Sequence, residues 1–196
     1  MNVPISERQF CSDNAGKVFY YVDGGKYAPE NIKPVTPVYS KTVGQMFWKL
    51  LNENREAWLG YDSIFENESE AEQFVKTVKH IRSQFRHDPY VSNTMLLKHF
   101  EDFKDIENKI EDGLKDYPNF DGIDFCDVSA HGIQVRTHHK AFEKYTYGSQ
   151  FTIEYDFSNK DEIPNLVINN FKNNDNEEDI ESQKRFIASG EKYGWD

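Results

Sequence analysis

Two hydrophobic periodicities divide the chain, one helical and one alternating. In segment 67–86, Phe74, Val78, Ile81 and Phe85 recur at spacings of four, three and four, which places them on one face of a helix. Glutamates crowd the first turns of this segment and Lys and Arg the last, as the helix dipole favours. The pattern predicts an amphipathic helix over 67–86.

Two neighbouring stretches show the same helical spacing. The first predicts a helix from Ser40 or Thr42 to about Asn54. The second begins at Ser92 or Asn93 and predicts one continuous helix to about Tyr117. Its apolar stripe consists of Leu96, Leu97, Phe100, Phe103, Ile106, Ile110 and Leu114.

Near the start of the sequence, "KVFYYV" (17–22) predicts a strand that ends at the turn signal Asp23–Gly25. The stretch that should pair with it contains Pro29, Pro34 and Pro37. Because proline cannot donate a ladder hydrogen bond, this stretch is expected to be an extended loop or an edge segment.

The later part of the chain alternates between apolar and polar residues. The segments "GIDFCDV" (122–128), "GIQVRTH" (132–138) and "FTIEYDF" (151–157) each predict a strand with one buried face. Two helices follow, one with Pro164 in its first turn and one closed by Gly190 as its C-cap. We therefore predict a single α+β domain over 1–196, with an antiparallel meander of about 3–4 strands packed against several helices.

Composition limits the environment of the protein. Aromatic residues make up 15% of the sequence, so the core should be rich in rings. The two cysteines are too few for a disulfide framework, and the sequence shows neither an export signal nor an apolar run long enough for a membrane. A cytoplasmic protein is expected.

Charge points towards a type of partner. The formal net charge is −11, and residues 156–181 alone hold eight acids against two lysines. Binding to nucleic acid or to an anionic membrane needs Lys and Arg, so both are disfavoured and a basic protein partner is favoured. The residues expected to bind it are tail acids and polar residues of the meander: Asp175, Glu177, Glu178, Asp179, Glu181, Gln134, Arg136, His138, Glu154 and Asp156.

Residues 123–139 carry the densest set of reactive side chains. Cys126 could act as a nucleophile with His131 or His138 as its base and Asp124 or Asp127 to orient that base. However, His138 and His139 should point to opposite faces of a strand, and no His or Cys spacing typical of a metal site is present. Glycine-rich phosphate loops and nucleophile elbows are also missing from the sequence. We predict no catalytic residues, metal or cofactor.

In size, acidity, α+β layout and lack of a catalytic motif, the chain resembles bacterial immunity proteins. These small acidic cytosolic proteins neutralise a cognate toxin, often a nuclease, by covering its active site. The resemblance implies tight one-to-one binding to a basic toxin, with charge steering the encounter. No family motif is matched residue by residue, so the resemblance carries over no site residues.

Two other functions remain open at this point. One is a hydrolase or transferase that uses Cys126 with His131 or His138, which would require these side chains to meet in a pocket. The other is a structural or assembly protein of phage type, which would show a large apolar patch and self-association. The oligomeric state is not determined by the sequence.

Overall fold

A computed structural model describes residues 14, 16–23, 27–40, 45–57, 59, 63–88, 90–128, 130–142 and 145–192. It confirms the α+β class, with helices and two antiparallel sheets in the described part. The residues group into two compact units, Met1–Gln84 and Phe85–Asp196, and the single domain stays a prediction. None of the helices in the described ranges has the length and apolar character needed to cross a membrane.

The first unit contains an antiparallel sheet and one helix. Its sheet has the strand order β4-β3-β2-β1-β5. The elements are β1 (Phe19–Val22), β2 (Ile32–Ser40), β3 (Gln45–Leu50), β4 (Arg55–Ala57), β5 (Ile64–Phe65) and α1 (Glu68–Arg82). Phe19, Val35 and Trp48 form part of a buried cluster, in which the rings of Phe19 and Trp48 meet edge to face at 5.7 Å.

The helix predicted over 67–86 is confirmed as α1, although it ends at Arg82. Its buried face includes Phe74 and Val78, as the spacing predicted. The Phe74 ring lies 4.9 Å from the Phe65 ring, centroid to centroid. This contact joins the helix to β5.

Two predictions in the first unit are wrong. The expected helix from Ser40 or Thr42 to Asn54 is replaced by the end of β2, by β3 and by a turn, because Trp48 and Leu50 alternate with Lys49 and bury a strand face. Pro29 begins a short 3₁₀ turn, but the rest of the proline-rich stretch, with Pro34 and Pro37, is a middle strand, since β2 pairs with both β1 and β3. Pro34 still joins the ladder as an acceptor, receiving the Leu51 N–H at 3.2 Å. Of the predicted turn at Asp23–Gly25, the two glycines lie outside the described residues.

The second unit contains the predicted meander. Its sheet has the order β6-β7-β8, with both strand pairs antiparallel. The elements are α2 (Asn93–Lys98), α3 (Phe100–Leu114), β6 (Phe120–Val128), β7 (Gly132–His139), β8 (Thr146–Ile153), α4 (Ile163–Asn174) and α5 (Glu177–Lys192). Its core is built on rings, with Phe103 and Phe125 meeting at 4.8 Å. Pro164 lies in the first turn of α4, as predicted.

The continuous helix predicted to reach Tyr117 is wrong, because α2 and α3 are separated at His99. The His99 backbone leaves the helical region at φ −116° and ψ 23°. Its imidazole stacks on Phe157 with centroids 4.1 Å apart, and its Nδ1 lies 3.1 Å from Asp102 Oδ2. The helix therefore breaks at His99, where these tertiary contacts form, although the hydrophobic stripe continues across it.

The ends of two further elements differ from the predictions. The strand expected over 151–157 stops at Ile153, and the chain turns so that Phe157 is buried with φ at +59°. Gly190 is not a C-cap, because α5 continues through it to Lys192. The turn that follows Ile153 carries residues of the candidate site.

Glu107 lies almost fully buried on α3, and its environment makes the stability of the protein depend on pH. Burial, followed by the charge of Glu111, raises the pKa of Glu107 to about 7, although the Arg86 backbone N–H and Lys104 favour the ionised form. An acid whose folded pKa is raised is neutral in both states below its ordinary pKa, where it costs nothing. As pH rises from 4.5 to about 7, the unfolded chain releases this proton while the folded protein keeps it, so stability falls across that range and stays reduced above it.

We expect Glu107→Gln to raise the free energy of unfolding by about 2–3 kcal/mol at pH 8 and by almost nothing near pH 4.5. Urea unfolding of both proteins across this pH range measures the difference. Glu111→Gln removes the same charge from an exposed position and should change stability by less than about 0.5 kcal/mol. A gain from Glu107→Gln that is equal at both pH values would contradict this explanation.

Candidate functional site

Several ion pairs lie on the polar face of β6 and β7. Arg136 stands opposite Asp124 in the strand register and forms an ion pair with Asp88, from the segment before α2. The Asp88 N–H also donates to the Phe125 carbonyl at 2.9 Å. Arg136 thus fixes this segment against the sheet and is partly buried.

Asp124 is the centre of a second group on the same face. It accepts a hydrogen bond from His138 and lies 3.3 Å from Arg86 Nε. Burial acts to raise the pKa of Asp124, but the His138 hydrogen bond and the charges of Arg86 and Arg136 outweigh it and lower the pKa. Asp124 is therefore ionised, and the positive charges beside it, Arg86 and Arg136, belong to the same unit.

Cys126 lies apart from His138, one of the two histidines considered as its base. It faces Gln134 across the ladder, and His138 lies four positions further along β7, about 13 Å at the rise of a strand. Burial raises the pKa of the Cys126 thiol, which disfavours the nucleophilic thiolate. The raised pKa and the separation from His138 both argue against the nucleophilic pairing of Cys126 with His138.

The paired histidines separate as their alternation predicted. His138 turns to Asp124, whereas His139 is buried with its Nε2 3.2 Å from Asp175 Oδ1. His139 Nδ1 accepts the Ala141 N–H at 3.1 Å, so the ring proton lies on Nε2 and is donated to Asp175. Within the described ranges, no group of three or more His, Cys, Asp or Glu side chains could hold a metal ion.

Asp175 differs from the other tail acids because its side chain is only 8% exposed. Besides His139, it accepts a hydrogen bond from Asn119 Nδ2 at 3.0 Å. These contacts join the end of α4 to β7 and to the chain entering β6. Asp175 therefore has a structural role in the interior, and we leave it out of the surface proposed below.

The remaining tail acids lie on the first turns of α5. Asn176 caps this helix by accepting the Asp179 N–H at 3.0 Å, and its amide in turn bonds the Asp179 carboxylate. Glu177 and Glu178 are exposed. Glu181 is exposed too and forms an ion pair of 2.9 Å with Lys184, whose hydrogen bond lowers the pKa of the Glu181 carboxyl.

An open depression of about 640 Å³ lies at the end of β8, and we call it the β8-end depression. Its lining residues are Ala130, His131, Thr152, Glu154, Tyr155 and Asp156. It brings His131, which the sequence suggested for catalysis, together with Glu154 and Asp156, which it suggested for partner binding. The depression could not be seen in the sequence, because the predicted strand continued through 157 where the chain in fact turns.

Hydrogen bonds hold the walls of this depression in place. The Tyr155 hydroxyl lies 2.9 Å from Asp127 Oδ1 and 2.8 Å from the Val128 carbonyl oxygen. Asn159 accepts the Glu154 N–H at 3.0 Å and donates to the Thr152 carbonyl at 3.0 Å. The turn after β8 is thus fixed to the sheet.

The acidic charge of the chain is divided unequally between the two units. Residues 85–196 hold 23 acids against 13 Lys and Arg, whereas residues 1–84 hold 11 acids against 10. The second unit therefore carries a formal charge of −10 and the first of −1. Since the total is −11, the acidity belongs almost wholly to the unit with the meander and α5.

Comparison with known proteins assigns no family to the chain. No protein-family model matches it, and neither does any curated protein or solved structure. Any functional inference therefore depends on the residues of this chain itself.

Proposed function

We propose that this chain is an acidic protein-binding module whose residues 85–196 bind a basic protein partner. The observation that carries the proposal is the confinement of ten of the eleven net negative charges to this unit. In its finer form, the proposal is an immunity-type inhibitor that acts in the cytosol and neutralises a basic toxin by covering its active site. A field of one sign raises the rate at which a basic partner meets the surface.

Two groups of acids form the surface that we propose for the partner. Glu177, Glu178 and Glu181 project from the first turns of α5, and Glu154 and Asp156 line the β8-end depression; all five are exposed. Arg136, His138 and Asp175, although expected from the sequence, make internal ion pairs. Breaking those pairs would cost more than a contact at the rim of an interface returns.

The test is affinity capture from an extract of the source cells with the full-length chain immobilised. We expect one basic polypeptide to bind in a one-to-one ratio. The purified polypeptide should associate with this chain at least tenfold more slowly when the salt concentration is raised from 0.05 M to 0.5 M. Salt screens the attraction between their opposite charges. For the immunity-type form, the captured protein should also be toxic when expressed alone and harmless when expressed with this chain.

Charge reversal supplies the matched control. Glu177→Lys with Glu178→Lys should slow association by about tenfold. The same reversal in the first unit, Glu30→Lys with Glu56→Lys, also replaces two exposed glutamates and should have a much smaller effect. Capture of an acidic partner, or equal slowing by both pairs of changes, would contradict the proposal.

A further inference from the structure

We infer that the β8-end depression is a binding site for the guanidinium group of an arginine side chain presented by the basic partner. This inference deepens the proposed function and rests on it. It assigns to one part of the acidic surface a specific contact, that of a guanidinium group with the lining of the depression. Four features of the depression support it: charge, ring geometry, fixed walls and size.

The charge of the lining selects a cation. Glu154 and Asp156 contribute two carboxylates, and none of the described residues that line the depression is Lys or Arg. Hydrogen bonds from Ser158 lower the pKa of Asp156, so this carboxylate is ionised at neutral pH. Its Oδ1 accepts the Ser158 N–H at 3.0 Å, which fixes the carboxylate within the turn.

Tyr155 makes the depression better suited to guanidinium than to ammonium. The residue is 38% exposed, while its hydroxyl is held by Asp127 and Val128. An aromatic residue fixed in this way and two carboxylates thus line the same depression. The guanidinium group is planar, stacks on aromatic rings and donates to carboxylates through a fork of N–H groups, whereas the ammonium of lysine is a compact point charge.

The depression is already formed without a ligand. The Phe157 N–H donates to the Glu154 carbonyl at 2.8 Å, and the Phe157 ring is buried against His99 and Phe103. The segment that carries Glu154, Tyr155 and Asp156 is thus anchored in the core at its far end. Little ordering would be needed on binding, which favours affinity.

The volume of about 640 Å³ falls in the range of ligand sites in proteins. Because the depression is shallow and widely open to solvent, a side chain could enter while the backbone that bears it remains outside. One arginine of a larger protein satisfies this requirement. The depression would then supply one anchor within a wider acidic interface.

The experiment uses arginine amide as the probe and the full-length, ¹⁵N-labelled chain. Titration should shift the backbone amide signals of residues 130–131 and 152–156 in a saturable manner, with a dissociation constant on the order of 1 mM, as expected for so small a ligand. Lysine amide should bind at least fivefold more weakly. Citrulline amide has nearly the shape of arginine amide but lacks the positive charge of the guanidinium group, and it should cause no saturable shift.

Variants separate the depression from the general acidity of the unit. Glu154→Gln with Asp156→Asn should abolish the response to arginine amide. Glu177→Gln with Glu178→Gln removes the same charge from α5 and should leave the response within twofold of the parent. Amide spectra that otherwise match the parent show that each variant is folded.

Three results would overturn the inference: no saturable shift with arginine amide, an equal response to citrulline amide, or equal loss in both pairs of variants. The proposed function can fail separately. If arginine amide does not bind but a basic protein still binds through α5, only this inference is lost. If arginine amide binds as expected but no basic partner is captured, the depression remains a guanidinium site and the proposed function is rejected.

Discussion

Replacing Gly132 with alanine is expected to lower the free energy of unfolding of the second unit by about 4 kcal/mol or more. Gly132 begins β7 with φ at +123°, and a Cβ there would lie 2.2 Å from the Ile153 carbonyl oxygen. That oxygen belongs to the backbone of β8 and cannot rotate away. The substitution would therefore force the two strands apart beside the β8-end depression. Urea unfolding of the purified variant measures the loss.

Gly148→Ala is the matched control within the same sheet. Its φ of +73° also disfavours alanine, but the nearest atom to the added Cβ, at 2.6 Å, is the side-chain oxygen of Asn170. A side chain can move, so we expect a loss of only about 1–2 kcal/mol. Equal losses at both positions would show that backbone conformation, rather than the close approach to Ile153, makes glycine necessary at position 132.

The second large effect is expected at Asp175, where alanine should cost about 3–5 kcal/mol. The change would leave the Nε2–H of His139 and the Nδ2 of Asn119 without the acceptor that both now share. His139 is only 1% exposed, so water cannot readily replace the carboxylate. Thermal or urea unfolding at neutral pH measures this cost.

Glu178→Ala provides the comparison, since it removes a tail acid three residues further on. Glu178 is exposed on the first turn of α5, and its loss should change stability by less than about 0.5 kcal/mol. The two acids belong to the same charged stretch of sequence. If both substitutions had equally small effects, the interior role assigned to Asp175 would be wrong.

The sequence predicted those elements in which one periodicity dominates. α1 and the strands β6 and β7 follow from spacings of three and four or from strict alternation, whereas of β8 only residues 151–153 were predicted. In the 40–54 segment, by contrast, Phe47 and Leu50 fit a helical spacing while Trp48 and Leu50 fit a strand. Pairing with β2 and β4 gives the strand its hydrogen bonds, and the local pattern contained no information about those neighbours.

The candidate site was less predictable, because its contacts join residues that are distant in sequence. Asp88 and Arg136 are 48 positions apart, and Asp175 lies 36 positions from His139. Acids that look alike in a charged run therefore separate into interior and surface groups only when the chain folds. The alternation in 132–139 did predict correctly that His138 and His139 point in opposite directions.

The uneven division of charge has a consequence for the protein on its own. With −10 on 112 residues, the second unit repels itself, and that repulsion opposes its compact form. Dissolved cations that accumulate around the unit weaken this repulsion without binding at a specific site. Even without a partner, the stability of the second unit should therefore depend on ionic strength more than the stability of the nearly neutral first unit does.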